Sequence, residues 1–464
     1  MSQLSLLDLG FLITESEASP KHVAGLLIFK RPSGARATFA KKLYDEYLAA
    51  THLEPPFNRI LAYSLTALPH WAECADVDME QHVFFHKMPK DANRREDLYK
   101  FVAELHTPVL DRSRPMWEMH VIDGLEGGRF ALYQKMHHAY ADGMTMTRWF
   151  AQSMSESPED DELKPVWSVR HSSSEGRLRR KLGQEMVESA LSKAIGGARG
   201  VSQRLFGIGR LSAMLLLESM KLTKNAISLP FVASRHTPLT GQVTSGREFS
   251  AITIPMERVS RIQAATRSTL NHVALTCLDG AMRRYLEEQG VELEQPIVIQ
   301  MPVNLRKEGE KAAGNKIGIV QVELSPPTDD PYVRLRNIGF SLRNVRVMVD
   351  SVAPAAIETY TIVTALIGQL AEMLKLSERV PPMGNTLVSN VPGPKQRLYL
   401  KGALLEEMHP ISTLPPSNLL NITLFSYGGL LHFGLIATDQ LPNLASLSEY
   451  IGQAFDDLEK AVGV

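Results

Sequence analysis

Two adjacent histidines, His137 and His138, stand in the stretch QKMHHAYADG, with an acid, Asp142, four residues after the second and Gly143 directly behind it. Histidine titrates near neutral pH, so this grouping admits three chemistries: a metal site, proton transfer, or ring packing in a core. Adjacent residues on an extended segment point to opposite sides, so the two rings would not share an ion. No other His, Cys or Glu cluster has ligand spacing, and no metal is expected. In the core reading one ring packs and donates to a backbone carbonyl, which leaves the Asp-Gly unexplained. In the third, a neutral imidazole takes a proton from a hydroxyl as that oxygen attacks an acyl carbon, and returns it to the leaving group. A glycine beside it permits a tight turn and close approach. Spacing alone does not choose among these.

The surrounding chain must hold the pair in place. GGRFALYQKM has the alternation of a strand, which puts the histidines at a strand end. GMTMTRWFAQSM then reads as a helix with Asp142 near its start. Residues 22–32 (HVAGLLIFKRP) and WEMHVIDGL are further strands, and TFAKKLYDEYLAA has helical spacing. Residues 1–155 thus read as one α/β domain.

At residues 155–165 the composition turns acidic, with two prolines, and from 171 to 224 it reverses to 10 Lys or Arg against 4 Glu. Residues 156–245 read as a linker carrying a basic helical segment, either a solvated link or a docking surface for anionic lipid. Residues 246–464 read as a second α/β domain. Its strands are REFSAITIP and PIVIQMPVNLR, and its helices are MERVSRIQAAT, NHVALTCLDGAMRRYLEEQG with Gly290 as its stop, and EYIGQAFDDLEKAVGV.

The 464 residues exceed one ordinary core, which agrees with two domains. Fifty basic side chains against 51 acidic ones leave no global charge for nucleic acid. Two distant cysteines, Cys74 and Cys277, predict no disulfide framework and suit a reducing cytoplasm. The first residues lack a basic stretch and meet acids by Asp8 and Glu15, which predicts no secretory signal. No window reaches about 18 apolar residues, which predicts no spanning helix.

HHxxxDG, here HHAYADG, is the signature of acyltransferases with the chloramphenicol-acetyltransferase-like fold. Further stretches resemble the bacterial wax ester synthase/acyl-CoA:diacylglycerol acyltransferase family: LSLLDLGFLITESEASPKHVAGLLIF, LDRSRPMWEMHVIDGL with Met116 in the middle of a Pro-Leu-Trp segment, LVSNVPGP, and LNITLFSYGGLLHFGLIATD. The likeness spans nearly the whole chain. One block departs from it: Asn271-His272 stands where the family has Asn-Asp, and the contribution of that acid is in question.

The resemblance implies two chloramphenicol-acetyltransferase-like domains, each a mixed sheet with helices, and an active site at their interface. It makes His138 the general base and His137 a neighbour that shapes the site. It turns Asp142 away from the chemistry to pair with an arginine, for which Arg306 before Gly314-Asn315 is the candidate. Gly143 and Asn315 support the site. Candidates for oxyanion or substrate contact are Asn271, Asn421, Thr423, Ser389 and Asn390. Trp117 and the prolines of SNVPGP read as packing and turn residues. The implied reaction moves a long-chain acyl group from acyl-CoA to a long-chain fatty alcohol or to diacylglycerol, with no cofactor. It places the protein in the cytoplasm, peripheral to the inner membrane face or to lipid inclusions, on an anionic membrane or lipid-droplet surface. The rivals are a carrier-protein-dependent condensation-type acyltransferase and a non-catalytic lipid-surface protein.

Overall fold

The computed structural model describes residues 2–3, 6–62, 69–170, 234–304, 317–352 and 354–464. The basic segment at 171–224, with Arg177, Arg179, Arg180 and Lys181, lies outside the described residues, as do Arg306 and Asn315.

The near-continuous apolar run HVAGLLIFK suits a strand covered on both faces. It forms β2 (His22–Lys30), buried throughout except for Lys30. A six-stranded sheet is built around it in the order β12 (Tyr399–Leu400), β13 (Ala403–Ile411), β2, β7 (Arg129–His137), β6 (Trp117–Leu125) and β5 (Val83–Lys87). The second six-stranded sheet runs β10 (Ile317–Glu323), β9 (Val298–Asn304), β11 (Thr386–Pro392), β14 (Leu420–Tyr427), β15 (Leu430–Thr438) and β8 (Arg247–Pro255). Both sheets are mixed: β5–β6, β9–β11 and β11–β14 pair in parallel, and the remaining pairs within them are antiparallel. A small sheet of β1 (Ser2–Gln3), β4 (His70–Glu73) and β3 (Arg59–Ala62) lies beside them. The strands expected from alternation therefore form, and the first sheet also takes two strands from beyond residue 398.

Described helices of the first half are α1 (Leu6–Thr14), α2 (Phe39–Ala49), α3 (Arg95–His106) and α4 (Gly143–Gln152). In the second half they are α5 (Met256–Thr266), α6 (Leu270–Glu288), α7 (Pro331–Ser351), α8 (Pro354–Met373) and α9 (Leu444–Val462). Leu132, Met136, Trp149 and Phe150 belong to the core between the first sheet, α2 and α4. Trp117 is fully buried there and donates its Nε1–H to the Phe57 carbonyl (2.9 Å), so it packs, as expected.

The two sheets do not merely abut. Leu26 and Tyr133 of the first sheet share a buried cluster with Val102 of α3 and with Phe249 and Ile436 of the second sheet. Gly434 of β15 makes this approach feasible, because a Cβ there would lie 2.0 Å from the Pro410 carbonyl oxygen of β13. Along β14 the sides alternate: Leu420, Ile422 and Leu424 enter the core of the second half, while Phe425 and Tyr427 enter that of the first. Among the described residues, no helix is long and apolar enough to cross a membrane.

Candidate active site

β7 ends on His137, and His138 begins the turn beyond it. The Tyr140 backbone N–H closes that turn by donating to the His137 carbonyl (2.9 Å). The Tyr140 hydroxyl donates to the Arg59 carbonyl and accepts from the Met116 N–H. The His138 N–H donates to the Lys21 carbonyl (2.8 Å). The backbone of the turn is thus tied at three places, and the freedom left to it is small.

The His138 ring stacks on Phe11 of α1, with centroids 4.3 Å apart and planes 23° from parallel. Burial pushes the His138 pKa below the ordinary histidine value and outweighs the Asp142 charge, which pulls it upward. The residue's own backbone carbonyl, close to the ring, also raises it. At neutral pH the ring is uncharged, as a base must be.

His137 faces the other way and is fully buried. Its Nδ1 accepts from the Ala139 N–H (3.1 Å), which leaves the proton on Nε2, 3.4 Å from Glu15 Oε1. Glu15 also accepts from the Arg112 Nε–H (3.1 Å) and Nη2–H (2.8 Å) and from the Lys21 N–H (3.1 Å). Burial raises the Glu15 carboxyl, but the His137 ring, the Arg112 guanidinium and the Lys21 N–H together bring it down to about 2. This carboxylate therefore holds the far side of the histidine pair through fixed charges. The core-histidine reading fits His137, and the proton-transfer reading fits His138. Among the described residues no three His, Cys, Asp or Glu side chains gather as a metal site.

Asp142 is the N-cap of α4: its Oδ1 accepts from the Thr145 N–H at 2.7 Å. Its expected pairing with Arg306 falls outside the described residues. At Gly143 a Cβ would lie 3.9 Å from Val391 of β11, so the start of α4 meets the second sheet.

That facing wall carries the remaining candidates. Ser389 of β11 donates its hydroxyl to Thr423 Oγ1 of β14 (3.0 Å), and the two residues are in register. Ser389 lies two residues from Val391 and so shares the face turned to α4. Thr423 lies two residues from Phe425, on the side packed against the first half. Asn390 points to the opposite side, where its amide donates to Asn271 Oδ1 (2.7 Å). Asn421 spends its amide N–H on the Thr413 carbonyl and anchors that loop. At the end of β11, the Gly393 N–H donates to the Ser426 carbonyl (3.0 Å), and a Cβ there would strike the Phe425 ring at 2.3 Å.

The departure at Asn271-His272 has a structural answer. Thr269 caps α6, its Oγ1 accepting from the His272 N–H (3.3 Å), and His272 Nδ1 accepts from the Thr269 N–H (3.4 Å). The imidazole occupies the third helical position that an acid takes in the usual reciprocal cap.

Glu15, Arg112, Lys21 and Phe11 were not singled out as site residues by sequence reasoning. Glu15 and Arg112 lie 97 residues apart, and no periodicity joins them. The one signal was their presence in two of the stretches that carry the family resemblance.

Comparison with known proteins agrees along the whole chain. The family model "Wax ester synthase/diacylglycerol acyltransferase catalytic domain" matches residues 4–274, and "WS/DGAT C-terminal domain" matches residues 313–459. A Mycobacterium tuberculosis protein named "probable diacylglycerol O-acyltransferase" is 32% identical over 461 residues, covering 98% of each chain. The wax ester synthase/diacylglycerol acyltransferase structure from Marinobacter aquaeolei VT8 superposes with a TM-score of 0.81 at 29% identity, covering 100% of both chains. The first condensation domain of the calcium-dependent antibiotic synthetase shares the fold, with a TM-score of 0.56 at 12% identity, covering 99% of this chain and 96% of that one.

Proposed function

Because the chain belongs to the wax ester synthase/diacylglycerol acyltransferase family, we propose that it transfers a long-chain acyl group from acyl-CoA to a fatty alcohol or to diacylglycerol, with His138 as the base. The observation that carries this reading is the placement of the His138 ring, directly beyond the end of β7, stacked on Phe11 at 4.3 Å and beside the start of α4 that meets β11. Burial keeps the ring neutral, so a ring nitrogen offers a lone pair. That lone pair takes the proton of the acceptor hydroxyl as its oxygen attacks the thioester carbonyl. The tetrahedral oxyanion collapses, the C–S bond breaks, and the CoA sulfur leaves with the proton from His138. The reaction needs no cofactor, since acyl-CoA brings its own activated carbonyl.

Ser389 and Thr423 suit the oxyanion better than Asn271 or Asn390, because they share the face turned to α4. Ser389 donates to Thr423, which leaves the Thr423 hydroxyl proton free to point outward. Asp142 and Gly143 serve by starting α4 where His138 needs its turn to end.

The test is release of free CoA, read with a thiol reagent, from palmitoyl-CoA with hexadecanol or a diacylglycerol. We expect release with either acceptor, lost in His138→Ala. No release from the wild-type protein, or equal release from the variant, overturns the reading. Donation by a phosphopantetheinyl carrier protein, with acyl-CoA inert, would favour the condensation-type reaction instead.

A further inference from the structure

Large apolar side chains scattered singly over a surface are ordinary, whereas grouped ones mark a contact. Of the nine most exposed ones among the described residues, four lie on α7: Tyr332, Val333, Phe340 and Val347. Phe340 and Val347 are each 64% exposed. Val333, Phe340 and Val347 recur every seven residues, so they form one stripe that drifts only roughly 20° per repeat and runs for about 21 Å along the helix. Arg336 and Arg343 follow Val333 and Phe340 by three residues, on the next row, and both are exposed. Arg346 is exposed as well, 3.8 Å from Asp350, the only acid on this helix. The fourth arginine, Arg334, turns inward to Asp279 (3.1 Å) and takes no part.

From this pattern we infer that the outer face of α7 docks on an anionic phospholipid surface, with Phe340 and Val347 entering the headgroup boundary and Arg336 and Arg343 meeting phosphates. An apolar stripe edged by arginines matches such a surface in both hydrophobicity and charge. A neutral lipid face would leave the arginines unmatched, and an acidic protein groove would need no two-thirds-exposed phenylalanine. The location fits the proposed acyl transfer, on which this inference rests for its purpose. Gly339, beside Phe340, packs against the His272 ring, where a Cβ would lie 3.6 Å from Nδ1. His272 adjoins Asn271, which accepts from Asn390 of β11, the strand that meets the start of α4. A lipid surface on α7 is therefore joined to the back of the β11 wall through His272, Asn271 and Asn390, close to where water-insoluble substrates must arrive.

The experiment is sedimentation of the full chain with vesicles of phosphatidylcholine alone or mixed with phosphatidylglycerol, at low and at high salt. Wild type should pellet with the mixed vesicles, less so at high salt. The doubly substituted Phe340→Ser/Val347→Ser protein should partition roughly tenfold less, and Arg336→Gln/Arg343→Gln roughly fivefold less for each charge removed. Both variants change exposed side chains, and release of CoA to a short, soluble alcohol should stay at the wild-type rate. That second readout separates the two readings, because vesicle binding is scored whether or not acyl transfer occurs. Wild-type partitioning by both variants overturns the inference. So does a loss of binding that follows only Arg177, Arg179, Arg180 and Lys181, or a change in oligomeric state with vesicle binding intact, which would assign the stripe to a second copy of the chain.

Discussion

The two walls of the candidate site are built on opposite principles. On the first, the neighbour of His138 is held by charge: Glu15, paired with Arg112, stands against the His137 ring behind the base. On the second, β11 and β14 present neutral groups, the Ser389–Thr423 hydroxyls on one face and the Asn390–Asn271 amides on the other. Charges fix orientation strongly but are costly to bury unpaired, so they suit a base whose angle must not vary. Neutral donors cost less to desolvate and stabilise a negative charge only once it develops, which suits the wall that meets an oxyanion. The contrast implies that damage to the charged support behind the base should cost stability together with turnover, and damage to the second wall turnover alone.

The largest effect belongs to the base. His138→Ala should lower kcat by roughly 10²–10⁴-fold, the usual range for a positioned general base, while the melting temperature stays near wild type because the backbone hydrogen bonds that hold the turn remain in the variant. Next comes the neutral wall. Thr423→Val keeps the shape and removes the hydroxyl proton, and it should lower kcat roughly 10²-fold with KM little changed. If KM moves instead, Thr423 contacts the ground state and the oxyanion is served elsewhere.

Glu15→Gln tests the charged wall from behind. It leaves Arg112 facing a neutral amide, and since Arg112 is one-third exposed, the loss should be about 1–3 kcal/mol of stability rather than the full cost of a buried orphan. Thermal unfolding and kcat should fall together. A drop in kcat at an unchanged melting temperature would erase the distinction between the walls. Asp142→Ala should do less, about 1 kcal/mol, as the loss of one helix cap, and Asp142→Asn should restore most of it in the same unfolding measurement.

Much of this was legible in the sequence where the pattern is local. The strand into His137, the helix after Asp142 and the largely apolar β2 follow from alternation, Asp-Gly punctuation and a run of apolar residues. What was not legible is what tertiary contact alone decides. Residues 403–411 (ALLEEMHPI) carry two glutamates and a proline, poor marks for a strand, yet they complete the first sheet because β2 needs a neighbour on that side. Arg95 reaches across to one of those glutamates, Glu407, and Arg129 to the other, Glu406, so the unfavourable residues are matched by partners about 300 positions earlier. The Glu15–Arg112–His137 chain was hidden for the same reason, and although the Asn271-His272 departure was visible, the capping bond His272 makes with Thr269 was not.

The smallest effect expected is that of mild acid on turnover, and its sign follows from burial. An unperturbed histidine is half protonated near pH 6.5. Burial lowers the His138 pKa below that value, so at pH 6.5 more than half of the rings remain neutral, and the profile of kcat/KM should still lie above half of its plateau there. Stability shares the direction. His22 and His106 are buried in the first half with pKa values pushed well below the ordinary one by burial. Proton uptake then favours the unfolded chain, and the stability these rings contribute is complete above about pH 6.5 and declines as pH falls toward their lowered values. Glu15 adds to this loss only once the pH falls through the ordinary carboxylate value near 4.5, where the unfolded side chain takes up a proton that the folded one refuses until about 2. The two effects are separated by assaying at each pH and again after return to neutrality: protonation of His138 reverses at once, whereas unfolding leaves a residue of lost activity. A reversible half-point at or above pH 6.5 would mean that the ring is not held neutral by burial, and the first wall would lose the feature that distinguishes it from the second.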